Sequence, residues 1–315
     1  MRRCIQLARC GEAGAPPNPM VGAVVVCNGR IIGEGYHRRC GGPHAEVNAI
    51  NNVRDKQLLG QSTIYVSLEP CSHYGKTPPC TDLIIRSGIP RVVVGCADPF
   101  AKVNGSGIKK LQEAGCEVVV GVLEEECREL NRRFFTFHQK HRPWILLKWA
   151  QSEDGYISGK RPFSNILTQS LVHRLRARYQ AILVGTNTAI TDNPSLTTRL
   201  WQGPNPLRLT IDRHNSLPET LHLKDDSTPT VIYRQESIPE ILDDLYRRGI
   251  QSLLVEGGAK LLQSFIDAGL WDEARMETAP FCLGKGTKAP TLKDAQPTDL
   301  CNYGGQILKY YRHEP

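Results

Sequence analysis

Apolar and polar positions alternate with two different periods along this chain, and the changes of period outline its elements. Gly22-Ala23-Val24-Val25-Val26-Cys27 is a short apolar run that ends at Asn28-Gly29, a pair suited to a tight hairpin turn. Residues 30–36 then return as the partner strand. A helix is predicted over 44–51, opening after Pro43. Runs rich in Val and Ile predict strands over 62–67, 91–95 and 117–120. Between them, helices are predicted over 79–87 and 107–114, stopped by Gly88 and Gly115. Residues 123–139 read as one charged amphipathic helix, broken by His141-Arg142-Pro143. The domain boundary is placed there, giving domains 1–143 and 144–315.

The second segment restarts the pattern. Strands are predicted over 144–150, 181–185, 207–212, 230–233 and 252–256, with a basic helix over 169–178. A helix over 261–268 is closed by Gly269, and residues 306–312 alternate like an edge strand. Strands alternating with helices make both domains α/β.

Length and composition narrow the class. At 315 residues the chain suits two domains, and 40% apolar content supports ordinary cores. No apolar run approaches the ~20 residues of a membrane helix, so no membrane partner is expected. The start of the sequence lacks the apolar stretch of a signal peptide. Eleven cysteines are an odd number in a long chain, which points to a reducing cytoplasm rather than a disulfide framework. Cys4, Cys10, Cys96, Cys116 and Cys127 are expected in the core. The net charge of +7 is uneven, with +6 in residues 1–143 and +1 in the remainder. A basic first half suits nucleic acid or a small phosphorylated substrate. No dense Lys/Arg run with interleaved aromatics occurs, which argues against nucleic acid.

The first half holds the densest chemistry. His44-Ala45-Glu46 is followed by Pro70-Cys71 and, later, Cys80. The combination H-x-E with a later P-C-x-x-C is the signature of zinc nucleobase deaminases. His44, Cys71 and Cys80 would hold Zn²⁺, one per chain, with a fourth position left for water. The metal lowers the pKa of such a water to roughly 7. Glu46 would shuttle its proton to the ring nitrogen and the departing amine. Here eight residues separate the cysteines instead of two, and Gly75 with Pro78-Pro79 can fold that insert back. His73 within it is a rival ligand or a substrate contact. Buried cysteines beside a capping histidine would be the bland alternative, but the joint spacing speaks against it. Glu69 either orients the zinc loop or lies exposed. In the second half, Gly257-Gly258 opens a helix whose N–H groups could cradle a pyrophosphate. It is not the G-x-G-x-x-G fingerprint, so a Rossmann site is unsupported.

Three stretches resemble the bifunctional riboflavin-biosynthesis deaminase-reductase family. They are Asn18-Pro19-Met20-Val21-Gly22, Pro43-His44-Ala45-Glu46, and residues 68–80 with that family's long inter-cysteine loop. Its reductase half is resembled by Leu147-Lys148-Trp149-Ala150-Gln151-Ser152, Asp192-Asn193-Pro194-Ser195-Leu196-Thr197 and Val255-Glu256-Gly257-Gly258. The resemblance implies a cytidine-deaminase-like three-layer α/β/α domain followed by a dihydrofolate-reductase-like domain. It implies deamination of 2,5-diamino-6-ribosylamino-4(3H)-pyrimidinone 5′-phosphate, then NADPH-dependent reduction of the ribosyl chain to ribityl. On the deaminase side, Asn18, His73, Lys76 and Thr77 would meet substrate. For NADPH it implies Ala150, Phe163, Thr188, Asp192, Gly258, Ala259, Lys260, Leu261, Leu262, Gln263 and Ser264; Arg213 is set at the 2′-phosphate only from its place just after a strand. For the reductase substrate it implies Lys148, Arg176, Leu196, Arg199 and Glu256. Lys148 also stands out without the resemblance, because a lysine on a core-like strand is costly unless paired. Glu153 stands where the family usually has leucine. A homo-oligomer is the expected assembly. Two rival readings are a nucleic-acid deaminase with an appended domain and a non-catalytic zinc scaffold, in which Glu46 would be unnecessary.

Overall fold

A computed structural model describes residues 1–74, 78–99, 105–158, 161–293 and 295–313. The chain divides into two units, Met1–Lys140 and His141–Pro315. In the first, the Val-rich runs become β1 (Gly22–Cys27), β2 (Arg30–Tyr36), β3 (Ser62–Leu68), β4 (Arg91–Cys96) and β5 (Glu117–Val120). They form one sheet in the order β2-β1-β3-β4-β5. The hairpin and the β1/β3 pair are antiparallel, and β3, β4 and β5 run parallel. The helices are α1 (Arg2–Arg9), α2 (Ala45–Asn51), α3 (Cys80–Arg86), α4 (Ser106–Glu113), α5 (Glu124–Leu130) and α6 (Arg132–Lys140). On one face α2, α3 and α4 bury Ala45, Ala49, Ile84 and Leu111 against Val25, Ile64, Val66, Val92 and Val94. On the other, Ile5, Cys127, Phe134 and Phe135 pack on Leu68 and Cys96. Parallel strands need cover on both faces, and these three layers supply it.

The single helix expected over 123–139 is two. The break falls at Asn131, which is buried and turns its amide onto a distant loop. It accepts from the Met20 N–H at 2.8 Å and donates to the Met20 carbonyl at 2.9 Å. Of the cysteines expected in the core, Cys4, Cys96 and Cys127 are buried, Cys116 is partly so, and Cys10 is exposed just past α1.

The second unit contains β6 (Trp144–Ser152), α7 (Ile166–Arg178), β7 (Ala181–Val184), α8 (Thr186–Asp192), β8 (Leu207–Ile211) and β9 (Thr230–Tyr233). It continues through α9 (Ile238–Arg247), β10 (Ser252–Glu256), α10 (Ala259–Asp267), β11 (Glu273–Ala279), β12 (Asp299–Tyr303) and β13 (Gln306–Arg312). Its sheet has the order β12-β13-β11-β6-β10-β7-β8-β9. From β11 to β9 all pairs are parallel, and β13 and β12 close the far side as an antiparallel hairpin. The 306–312 segment is therefore an inner strand, not the edge; β12 is the edge. One face packs α9 and α10 through Ile241, Leu245, Leu262 and Phe265. The other carries Leu146, Ile182 and Leu254 with Leu175 of α7. Among the described residues no helix is long and apolar enough to cross a membrane.

Candidate active sites

The first site is assembled from two strand-to-helix junctions. His44 is the N-cap of α2, Cys71 follows β3, and Cys80 is the first residue of α3. What brings α2 in is a glycine pair on β2. A Cβ at Gly35 would lie 2.4 Å from Ala49 N and 2.6 Å from Ala45 O, and at Gly33 2.3 Å from Ala49 O. No other residue permits such an approach.

His44 Nδ1 lies 3.5 Å from Cys71 Sγ and 3.3 Å from Cys80 Sγ. Ligand atoms on a tetrahedral zinc sit roughly 3.5 Å apart. The donor set and its spacing thus fit zinc. This is the one group of metal-ligating side chains found among the described residues, and His73 is not in it. The Cys80 N–H also points at Cys71 Sγ, at 3.3 Å. The Cys80 thiol first, then His44 and the Cys80 N–H, pull the Cys71 thiol down to about 4 against the opposing effect of burial. Glu46 lies in the first turn of α2, buried against this group. Burial pushes its carboxyl up to about 7.

Asn18 is linked to the same site through His37. Its amide nitrogen is 3.0 Å from His37 Nε2, and His37 Nδ1 is 3.1 Å from the Pro43 carbonyl. The carbonyl must accept from Nδ1–H, so Nε2 accepts from Asn18, and the imidazole is neutral. Burial, which lowers the pKa of His37, agrees. His37 sets edge-on against His44, with ring centroids 5.3 Å apart. Sequence reasoning missed His37, since nothing in its spacing marks it. Glu69 is not exposed. Its carboxylate accepts from the N–H groups of Asp98, Gly105, Gly107 and Ile108 at 2.9–3.3 Å. Lys76 and Thr77 lie outside the described residues.

In the second unit the structure brings Lys148, Arg176 and Glu256 together. Arg176 forks onto Glu256, Nε to Oε1 at 3.2 Å and Nη2 to Oε2 at 2.8 Å, while its Nη1 donates to the Thr197 carbonyl at 3.2 Å. Burial works against the Glu256 charge, but Arg176 and Lys148 outweigh it and hold the carboxyl below its ordinary range. Leu196 is buried with φ +53°, and Arg199 reaches the Thr197 hydroxyl. His173, one turn before Arg176 and absent from the sequence reading, is buried alongside; burial first, then Arg176 and Arg199, lower its pKa.

Gly257 and Gly258 both have positive φ, +93° and +74°, at the start of α10. A Cβ on Gly258 would meet Thr188 Oγ1 at 3.3 Å. Thr188 therefore sits over bare backbone, a cradle that suits a phosphate. Thr186, opening α8, donates to the Ile211 carbonyl, which brings the end of β8 and exposed Arg213 toward α8. Asp192 ends that helix, and Ala150 lies near the end of β6. Along α10, Ala259 and Leu261 are partly exposed and Lys260 is exposed, whereas Leu262 is in the core. Gln263 accepts from the Thr291 N–H, and Ser264 donates to the Lys260 carbonyl. Phe163 packs on Phe281, with centroids 5.6 Å apart.

Comparison with known proteins agrees with both halves. A family model for the cytidine and deoxycytidylate deaminase zinc-binding region matches residues 1–96, and one for the RibD C-terminal domain matches 143–302. The riboflavin biosynthesis protein RibD of Aquifex aeolicus (strain VF5) is 40% identical over 91% of this chain and 87% of its own length. That of Bacillus amyloliquefaciens is 41% identical over 93% and 86%. A crystal structure from Thermotoga maritima, of a diaminohydroxyphosphoribosylaminopyrimidine deaminase/5-amino-6-(5-phosphoribosylamino)uracil reductase, superposes with a TM-score of 0.91. It is 37% identical and covers 100% of this chain and 97% of that one. With a zinc-type donor set in one unit, a reductase-type sheet in the other and relatives matched along nearly the whole chain, this protein belongs to the RibD family of bifunctional riboflavin-biosynthesis deaminase-reductases.

Proposed function

We propose that residues 1–143 replace the 2-amino group of 2,5-diamino-6-ribosylamino-4(3H)-pyrimidinone 5′-phosphate by oxygen, and that residues 144–315 reduce the product's ribosyl chain. The observation that carries the first step is the convergence of His44, Cys71 and Cys80 with buried Glu46. Bound zinc supplies a Lewis acid that acidifies water. Glu46 would take one proton from the attacking water and give it to the ring nitrogen, then take the remaining hydroxyl proton and give it to the amine, which leaves as ammonia as the carbonyl forms. Asn18, its amide held by His37, hydrogen-bonds the pyrimidine edge. His73, Lys76 and Thr77 contact ring and phosphate in this reading.

For the second step NADPH supplies a hydride. The ribose opens at its C1′–O bond, the hydride goes to C1′, and a proton goes to the ring oxygen. Lys148 gives that proton in this reading. Arg176 and Arg199 hold phosphate and hydroxyl oxygens, with Glu256 orienting Arg176 and Leu196 closing the wall. Ala150, Phe163, Thr188, Asp192 and the turn and first helical turns at 258–264 hold the cofactor, with Arg213 at its 2′-phosphate. The reading includes self-association, to be checked by sedimentation. It also includes a reducing cytoplasm, which all eleven free cysteines favour.

Incubation with the diaminopyrimidine phosphate, with and without NADPH, followed by product mass, tests both steps. Without NADPH the amine should exchange for oxygen and nothing more. With it, the product should gain two further hydrogens. An unchanged substrate mass with zinc-loaded protein would overturn the reading.

A further inference from the structure

The second unit buries two arginines completely, and they are treated differently. Arg208 donates to the carbonyls of His222, Asp225 and Thr228, to Asp225 Oδ1 and to Thr230 Oγ1. Arg275, only 2% exposed, has no partner for Nε or Nη2. Two residues on, Glu277 is 0% exposed; its Oε2 accepts from Ser164 at 3.0 Å, and its Oε1 has no partner. Burying such groups unpaired is expensive.

Strand register explains where they point. Glu256 of β10 pairs with Lys148 of β6, and Lys148 pairs with Arg275 of β11. Paired residues share a face of the sheet, so Glu256, Lys148 and Arg275 form one transverse row. Glu277 lies on the same face, one pleat on, opposite Ala150. Tyr310 of β13 continues the row beyond Arg275. From above, α7 contributes Arg176 and His173. Solvent reaches Lys148 but not the β11 pair. Burial pulls the Lys148 ammonium below the usual lysine range; Glu256 and Glu277 oppose this, while Arg275 and Arg176 add to it.

We propose that Arg275 and Glu277 are positioning residues of the reductase, a buried pair of opposite charges on β11 in which Glu277 holds the Lys148 ammonium charged, Arg275 opposes that charge, and the two together aim it at the substrate. The proposal rests on the reading that Lys148 serves the reduction. Register sets Arg275 beside Lys148 and Glu277 one pleat away, so each buried charge acts on the Lys148 ammonium with opposite sign.

The test is the pH profile of kcat/KM for reduction of already deaminated substrate by NADPH. If protonated Lys148 is required, activity falls along an alkaline limb. Removing the carboxylate in Glu277→Gln should move that limb toward acid by about one pH unit, because Lys148 loses its proton more readily. Removing the cation in Arg275→Gln should move it toward alkali by a similar amount. The charge-retaining Arg275→Lys should restore the wild-type position. A merely structural pair would not shift the limb in opposite directions. Folded variants with no shift, or shifts of one sign, would overturn the proposal. Should the Gln variants fail to fold, Arg275→Lys and Glu277→Asp keep charge but change reach. They should then cut kcat about tenfold with little change in KM, and wild-type kcat in both would overturn the proposal. Lys148→Met separates the underlying reading: wild-type reduction and an unchanged limb there would remove Lys148 itself from the chemistry.

Discussion

A carboxylate that accepts four backbone N–H groups is a structural device, and Glu69 is one. It ties the end of β3 to the loop after β4 and to the start of α4, directly behind Pro70 and Cys71. Glu69→Ala would strand those donors, costing about 3 kcal/mol in the unfolding of the first unit as followed by urea titration. Zinc content should fall with it. The ligands themselves act differently. Cys80→Ser should lose most zinc by metal analysis, whereas Glu46→Gln should keep zinc and lose deamination by ~10²–10⁴-fold, because an amide cannot accept the proton. In the second unit, Asp154 is held down to about 2 by the Ser152 hydroxyl and by the N–H groups of Leu283 and Gly284. That value lies below the unfolded one of about 3.9, so its contribution is present above roughly pH 4 and fades as pH falls toward 2. Thermal unfolding of Asp154→Asn against wild type should show a gap at pH 6 that closes on acidification. Its neighbour Glu153 is exposed, so a charged side chain is tolerated there.

At the scale of elements, α2 depends on glycine in a strand. Gly35→Ala places a methyl against the backbone of α2 and should cost about 2 kcal/mol. Because His44 and Glu46 ride on that helix, deamination should fall further than stability, while reduction continues. The β1–β2 hairpin was legible because its signal is local: a valine run, Asn-Gly, a return. The division between α5 and α6 was not, since the partner of Asn131 is Met20, far away in sequence. A third case is β11, Glu-Ala-Arg-Met-Glu-Thr-Ala, whose residues favour a helix locally. Pairing with β6 and β13 overrides that preference. Missing the strand meant missing Arg275 and Glu277 with it. By contrast α9 was marked in the sequence by Ser237, Pro239 and Glu240, a capping box with proline in the first turn, and could have been read. The Gly257-Gly258 turn was legible as a bend opening a helix, and its positive φ values show that the glycines are needed for that bend. Gly258→Val would thus be strained whatever binds there.

Two sites in two units make a prediction about the whole molecule. Glu46→Gln should still oxidise NADPH at the wild-type rate when given deaminated substrate, and loss of both activities in a folded variant would mean a composite site. Most of the deaminase site was readable because its ligands sit in two short motifs. The candidate reductase residues on β6, α7, α8 and β10 were named through the resemblance, but which of them meet was not readable, because those elements come together only through strand order. That order carries one more consequence. In chain order β13 is the last strand, yet it lies between β11 and β12, flanking the strand that carries Arg275 and Glu277. During synthesis, the deaminase motifs emerge early and their sheet can close behind them. The reductase sheet must wait, with one side of β11 unpaired, until residue 312 leaves the ribosome. A nascent chain stalled before Gln306 should therefore be able to bind zinc while its second half is still open to proteases.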